Sequence, residues 1–340
     1  MRPDKDRYQA VGKLINGKSR ICITSHAHPD GDAVGSGLAL FHSLKQLGHD
    51  VAFIIPNEYP SFLAWMPGSE EILVYSKYGK ESREAMQRAE VIFCVDYNAP
   101  ERLEEAKDLL IASSAVKILI DHHTEPQTSH FNLVLTTTDT SSTAELVYEL
   151  ILSLGPGLIN KQVAECIYAG IMTDTGSFSY SCNQVRTYEI VAELFRQGID
   201  GEKIHRLVYD TFSENRMRLL GYCLSTKLKV LPDYHTAYIA LSREELHNFN
   251  YQTGDTEGIV NFALSIKGIR LAVLFTEKDD RIRMSLRSTG GFSVNEFARK
   301  HYDGGGHKNA AGCNSFLTLP ETLGRFESLL NDYHDELNHD

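Results

Sequence analysis

The sequence has no excess of positive charge: 34 Lys and Arg stand against 45 Asp and Glu, a formal net charge of −11. Long nucleic acids are gripped chiefly by Lys and Arg on phosphates, so this balance argues against tight binding of long duplex. It does not exclude a short anionic substrate, because bound cations offset acidic ligands locally. Cysteine is sparse and scattered. Cys22, Cys94, Cys166, Cys182, Cys223 and Cys313 form no C-x-x-C pair. Cys22 and Cys94 sit inside apolar runs, where a thiol behaves as a small hydrophobe, and all six read as reduced thiols of a cytoplasmic protein. No apolar run reaches the length of a membrane span, so no membrane association is expected. Met1-Arg2-Pro3-Asp4-Lys5-Asp6 has no apolar stretch behind it, so no signal peptide is expected either. There is no internal repeat, no low-complexity tract and no Walker loop. Gly31-x-x-x-Gly35-x-Gly37 has the wrong spacing for a dinucleotide fingerprint.

What is present is enough apolar material for more than one core: 340 residues, 42% of them hydrophobic. Residues 1–185 alternate strand and helix. The strands are Ile21–Ser25, Val51–Ile55, Val91–Val95, Val116–Ile120 and Leu133–Leu135. Between and around them run helices over about Tyr8–Asn16, Ala33–Leu47, Glu81–Ala89, Pro100–Ala112, Ser142–Leu154 and Lys161–Ile171. This rhythm predicts an α/β domain with a mainly parallel sheet flanked by helices. Residues 186–224 read as a helical connector. From 225 to 340 the strands alternate (Lys227–Leu231, Thr236–Leu241, Leu271–Glu277, Arg281–Arg287) among helices at Arg243–Phe249, Glu257–Leu264 and Val294–Lys300. This is a second, smaller α/β domain.

Three apolar strands end in the same kind of residue. Arg20–Ser25 runs into His26-Ala27-His28-Pro29-Asp30-Gly31-Asp32, Val91–Val95 into Asp96, and Ala115–Ile120 into Asp121-His122-His123. Open α/β sheets bind ligands just outside the carboxyl ends of their strands. Imidazole mixed with carboxylate suits Mn(II), Zn(II) or Fe(II) better than Ca(II), which prefers oxygen alone. Asp32 by itself reads equally well as an N-cap of the following helix, and Asp96 by itself as a turn residue. Asp174, in Gly170-Ile171-Met172-Thr173-Asp174-Thr175-Gly176, is either a further ligand or an ordinary helix end. Near the C-terminus, Gly304-Gly305-Gly306-His307 lets a backbone approach a ligand, and a helix starting at His307 would offer free N–H groups to a phosphate. Arg281, Arg283 and Arg287 alternate along one strand and so share a face. Arg283-x-Ser285-x-Arg287-Ser288 resembles an anion clamp. A flexible turn beside a solvated basic strand is the alternative.

The order His26…Asp30-Gly31-Asp32, Asp96, Asp121-His122-His123, Asp174, Gly304-Gly305-Gly306-His307 resembles the DHH–DHHA1 phosphoesterase family over nearly the whole chain. The closest likeness is to its compact branch, which acts on short oligoribonucleotides and on pAp (3′-phosphoadenosine 5′-phosphate). The SRK-type signature of the related inorganic pyrophosphatases is absent. The resemblance implies a two-metal site, usually manganese, in a DHH catalytic domain, with substrate held by a DHHA1 domain. It implies that His26 and Asp30 hold one metal, that Asp32 and His122 hold the other, that Asp96 bridges the two, and that Asp174 also ligates. His123 would face the scissile phosphate and Asp121 would orient His122. Arg283, Arg287, Ser288, Gly304, Gly305, Gly306 and His307 would hold a substrate phosphate or the terminal nucleotide. The expected reaction is hydrolysis of very short RNA to 5′-mononucleotides and of pAp to AMP. The alternative within enzymes is a soluble phosphodiesterase of cyclic-di-AMP or pApA, and the alternative outside them is a nucleotide-binding module without catalysis. A homodimer is compatible with the sequence but not required by it.

Overall fold

Uninterrupted apolar runs build the first sheet. Its strands are β1 (Arg20–Thr24), β2 (Asp50–Ile55), β3 (Leu73–Val74), β4 (Val91–Val95), β5 (Val116–Asp121) and β6 (Leu133–Thr136). The computed structural model of the chain describes residues 2–15 and 17–338. It divides into two units, Met1–Thr211 and Phe212–Asp340. In the first unit all strand pairs are parallel, in the order β3-β2-β1-β4-β5-β6. Every residue of β4 is buried, as are Ile21–Thr24 and Ile118–Asp121. A parallel sheet covered by helices has no solvent face, so its strands read as continuous rather than alternating. Each fully buried Ile, Leu or Val there contributes about 1.5–3 kcal/mol. The strand order reverses between β1 and β4, and that switch point is where doubly wound sheets open a ligand crevice.

The helices of this unit are α1 (Lys5–Leu14), α2 (Gly31–Gln46), α3 (Gly79–Arg88), α4 (Lys107–Ala112), α5 (Thr143–Leu154), α6 (Lys161–Asp174), α7 (Val185–Arg196) and α8 (Gly201–Tyr209). A Cβ at Gly31 would lie 2.3 Å from Thr173 Oγ1. Only glycine therefore lets the first turn of α2 meet the last turn of α6. Asn16, the expected end of the first helix, lies outside the described residues. The helix expected over Pro100–Ala112 is broken. A 3₁₀ segment at Pro100–Ala106 precedes α4, and Glu104 within it has φ +47. The cause is visible in the hydrogen bonding: the Arg102 carbonyl accepts the Ala27 N–H at 2.8 Å instead of continuing a helix.

The second unit begins with α9 (Glu214–Tyr222), so the helices within residues 186–224 fall into both units. Its strands are β7 (Leu228–Leu231), β8 (Thr236–Leu241), β9 (Leu271–Glu277), β10 (Ile282–Ser288), β11 (Asp303–His307) and β12 (Ala310–Ser315). The sheet order is β11-β12-β10-β9-β8-β7, parallel only between β8 and β9. Helices α10 (Arg243–Asn248), α11 (Ile259–Leu264), α12 (Val294–His301), α13 (Leu319–Leu330) and α14 (His334–Asn338) complete it. One expectation is corrected here. Gly304–His307 is not a loop leading into a helix at His307 but the edge strand β11, hydrogen-bonded to β12. A Cβ at Gly304 would stand 2.2 Å from Cys313 Cβ, so glycine is needed for the two strands to close up. Among the described residues no helix is long and apolar enough to cross a membrane, and the six cysteines are free and buried.

Candidate metal centre

The loop after β1 delivers His26, Asp30 and Asp32. His26 Nδ1 lies 2.8 Å from the Ala27 carbonyl oxygen. A carbonyl only accepts, so Nδ1 carries the proton and Nε2 keeps its lone pair. That Nε2 is 3.5 Å from Asp96 Oδ2. Asp30, rather than Asp32, caps α2: its Oδ1 accepts the N–H groups of Asp32 and Ala33, each at 3.0 Å. Asp32 instead reaches across to α5. Its two carboxylate oxygens accept the N–H groups of Thr143 at 2.7 Å and Ala144 at 2.9 Å. These are donors that a helix N-terminus leaves without intrahelical partners, at the positive end of its dipole.

Asp96 follows β4 in the left-handed region, with φ +66, a conformation Asp tolerates better than most residues. Its N–H donates to the Ile120 carbonyl at 2.9 Å, and its Oδ1 accepts the Thr143 hydroxyl at 2.8 Å. Thr143 thus fixes Asp32 with its backbone and Asp96 with its side chain, a role that sequence reading did not assign. The available signal was the run Thr140-Ser141-Ser142-Thr143 before a helix, which reads only as capping material.

At the end of β5, Asp121 Oδ1 accepts from His123 Nδ1 at 2.7 Å. The expected partner of Asp121 was His122. Residues two apart on an extended chain point the same way, which accounts for the contact with His123. His122 Nε2 lies 3.8 Å from Asp32 Oδ2, 3.6 Å from Asp96 Oδ1 and 3.6 Å from Asp174 Oδ2. Asp174 is the last residue of α6.

These separations are too long for hydrogen bonds. They match the spacing of ligands around one cation, where bonds of about 2.0–2.2 Å set neighbouring donors about 3–4 Å apart. Two groups form in this way, His26–Asp30–Asp96 and Asp32–His122–Asp174, each with donor atoms within 4.8 Å of one another. Asp96 also stands 3.6 Å from His122 of the second group, and so touches both. A third set, Asp96–Asp121–His123, meets the same limit but is closed by the Asp121–His123 hydrogen bond.

The electrostatics fit cations. Asp32 and Asp96 are 1% and 2% exposed. Burial, then the carboxylates of Asp96 and Asp30, push the Asp32 pKa well above the usual range. Burial, then Asp30, Asp121 and Asp174, do the same to Asp96. Burial would also raise Asp30, but the His26 imidazole and the Ala33 N–H outweigh it and bring its pKa below normal. His26 is held down by burial and by Arg102. His123 falls to about 3 through burial, Arg102 and His26. Crowded carboxylates that resist ionising and imidazoles that stay neutral are what divalent cations reverse and bind.

In the second unit, sheet register settles which predicted residues share a face. Arg287 and His307 both pair with Ala310, Ser285 and Gly305 with Gly312, and Arg283 and Asp303 with Asn314. Cross-strand partners project to the same side. Arg283, Arg287, His307 and Gly305 therefore lie together on a glycine-floored face. Ser288 and Gly304 alternate to the other side. The Ser288 hydroxyl donates to the Phe292 carbonyl at 2.7 Å and accepts from Asn309 at 2.9 Å. The Gly306 N–H donates to Asn295 Oδ1 at 3.0 Å, so Asn295 and Asn309 hold this hairpin.

The DHH family, N-terminal domain, matches residues 20–171, and the DHHA1 domain matches residues 233–336. The bifunctional oligoribonuclease and PAP phosphatase NrnA of Thermus thermophilus is 30% identical over 330 residues, 96% of this chain and 92% of its own. The protein of that name from Bacillus subtilis is 29% identical over 300 residues, 87% of this chain and 89% of its own. The cyclic-di-AMP phosphodiesterase GdpP of Bacillus subtilis is 25% identical over 96% of this chain but only 50% of its own length. Among solved structures, an exopolyphosphatase-related protein from Bacteroides fragilis has a TM-score of 0.94 and 42% identity, covering 99% of this chain and 98% of its own. The two matched domains take in the strand ends that deliver His26, Asp96 and His122 and the sheet that carries Arg287, and with 30% identity over 96% of the chain they show that the chain belongs to the DHH family, with a C-terminal DHHA1 domain, and is a metal-dependent phosphoesterase.

Proposed function

We propose that the chain hydrolyses very short oligoribonucleotides to 5′-mononucleotides and pAp to AMP, with Mn(II) in both positions of the centre. The observation that carries this reading is the pair of donor groups meeting at Asp96. Similarity to two NrnA proteins along almost their full length supports the choice of substrate. His26, Asp30 and Asp96 hold one ion, Asp32, His122 and Asp174 the other, and Asp96 is shared. Bound there, such ions polarise a phosphoryl group and lower the pKa of a coordinated water.

The chain's own residues do the rest. Thr143 and the α5 N-terminus keep the Asp32 and Asp96 carboxylates in fixed orientations before substrate arrives. His123 faces the scissile phosphate. An arriving phosphate favours the protonated ring, whose Nε2–H then donates to a phosphoryl oxygen while Nδ1–H stays on Asp121. Arg283, Arg287, His307 and Gly305 hold a further phosphate or the terminal nucleotide. Ser288, Gly304 and Gly306 support that surface.

The test is direct: incubate purified protein and Mn(II) with labelled RNAs of two to twenty nucleotides, pAp, pApA and cyclic-di-AMP. Dimers and pAp should turn over fastest. Rates should fall beyond about five nucleotides, because the chain offers few phosphate contacts to a longer strand. A preference for cyclic-di-AMP would favour the second reading, to which the GdpP likeness points. Equal rates on dimers and twenty-mers would refute the length limit.

A further inference from the structure

Glu145 belongs to none of the groups described so far. It is fully buried, at 0% exposure, in the first turn of α5. A carboxylate in such a place needs donors or a cation on its oxygens. Oε1 accepts the Ser141 N–H at 3.1 Å, the Ser141 hydroxyl, and the Thr187 hydroxyl at 2.6 Å. Oε2 accepts from Arg2 Nη2 at 2.9 Å. Arg2 is itself held in place. Its Nε donates to the Asp139 carbonyl at 2.9 Å, and its Nη2 also donates to Gln184 Oε1 at 2.7 Å. Burial alone would raise the Glu145 pKa, but Ser141, Thr187 and Arg2 outweigh it and keep the group ionised. One buried charge thus joins the arm before α1, the loop that precedes α5 and the start of α7.

The place of this knot matters more than its size. Between Ser141 and Glu145 lie the groups that hold two carboxylates of the centre. The N–H groups of Thr143 and Ala144 hold Asp32, and the Thr143 hydroxyl holds Asp96. A helix end secured by its own backbone alone frays. Here the Glu145 side chain turns back onto Ser141 and closes the turn that contains Thr143 and Ala144. Those donors cannot drift from Asp32 and Asp96 without breaking bonds to a buried charge, which is costly. A second ion pair gives a contrast. Glu149 also ties α5 to α7, through Arg186 Nε at 2.7 Å, but it lies one turn further along the helix, away from the loop.

We propose that Glu145, with Arg2 as its partner, is a positioning residue of the metal centre: it fixes the α5 N-terminus that orients Asp32 and Asp96, and so sets the affinity for Mn(II). The proposal rests on the metal assignment above but not on the identity of the nucleotide. Its test titrates the metal-free full chain with Mn(II), reading unbound ion by electron paramagnetic resonance. Glu145→Gln should weaken Mn(II) binding by about 10- to 100-fold, the range for losing a group that holds metal ligands in place. Arg2→Ala should act in the same direction. Arg2→Lys should recover part of the affinity, since an ammonium can meet Glu145 but lacks the fork that also reaches Asp139 and Gln184. Glu149→Gln may lower the melting temperature as much as Glu145→Gln does, yet its Mn(II) affinity should match wild type. At saturating Mn(II), the Glu145 and Arg2 variants should hydrolyse bis-p-nitrophenyl phosphate with kcat and KM close to wild type. Unchanged Mn(II) affinity in both Glu145→Gln and Arg2→Ala would overturn the proposal. So would an equal loss of affinity in Glu149→Gln, which would make Glu145 a part of the fold and no more. If Glu145→Gln does not fold, Arg2→Ala, which leaves the carboxylate and its hydroxyl donors in place, decides alone. A wild type that binds Mn(II) but turns over neither pAp nor short RNA would count against the nucleotide reading, and the binding comparison would still decide the role of Glu145.

Discussion

In the first unit the chemistry sits at the ends of strands, and in the second it sits on the face of one. Past their first residues the parallel strands β1, β4 and β5 are buried along both sides, so their apolar side chains face the core and not a ligand. His and Asp can act only beyond the last apolar residue, where separate segments of chain converge. Strand β10 alternates buried and open positions, so Arg283 and Arg287 would act from within the strand. Convergence from several segments gives donors a three-dimensional arrangement, which a metal shell needs. A strand face gives a flat row of donors, which suits holding an anion that does not itself react. On the proposed function, the chemical step would fall to the first unit and uniform binding to the second.

The largest effect should come from Asp96→Ala. This carboxylate touches both donor groups, so its loss should reduce turnover by about 1,000-fold or more and lower the Mn(II) bound per chain. A variant that keeps two equivalents of Mn(II) and normal turnover would remove the basis of the comparison. Next come the paired histidines. His122 points Nε2 at three carboxylates, whereas His123 is anchored on Asp121. His122→Ala should lose metal. His123→Ala should keep metal and lose about 100-fold in kcat. Loss of one equivalent of metal from the His123 variant would erase the distinction.

Metal removal probes the same region through stability. Asp32 and Asp96 have raised pKa values in the metal-free fold. Between the ordinary carboxylate range and those raised values, the folded state binds more protons than the unfolded chain. Their contribution is complete below that window and is lost as pH rises through it. Asp30, with a depressed pKa, runs the other way and loses its contribution as pH falls. His26 and His123, held below the ordinary imidazole range, also run the other way and add stability as pH rises through that range. The carboxylate effect is therefore isolated by comparison with Asp32→Asn: without metal, the variant should gain in melting temperature relative to wild type on going from about pH 5 to about pH 7.5. Mn(II) at about 100 times its Kd should restore about 2.7 kcal/mol, or about 5–10 °C for a domain of this size. Equal destabilisation by chelator at both pH values would show that these carboxylates are not the metal ligands.

The two regions also differ in how far they could be read from sequence. β1, β4 and β5 announce themselves as apolar runs, and a buried run that stops at His or Asp marks its own polar end. The convergence of these His and Asp side chains was legible for that reason. Thr143 was not, because it depends on an approach between distant segments, Thr143 to Asp32 and Asp96. The break at Glu104 was hidden for the same cause. Gly304–His307 misled because three glycines carry no strand propensity. Pairing with β12 makes them a strand, and the absent Cβ atoms are what permit it.

The smallest effect should fall in the second unit, at Arg287. Register places it in one row with Ala310 and His307, on the face shared with Arg283 and Gly305. On the proposed function, a guanidinium on that face would hold a phosphate that is not the one cleaved. Such a contact is equally strong in the ground and transition states, and losing uniform binding raises KM while kcat stays nearly constant. A charge-assisted hydrogen bond contributes about 1.5–3 kcal/mol, so Arg287→Ala should raise KM for pApA by roughly 10- to 100-fold. Bis-p-nitrophenyl phosphate has no second phosphate to hold, and its hydrolysis should hardly change. Measuring both substrates with wild type and Arg287→Ala at saturating Mn(II) tests the separation. An equal loss on both substrates with Arg287→Ala would mean that the second unit enters the chemical step, and the separation of chemistry from binding would have to be given up.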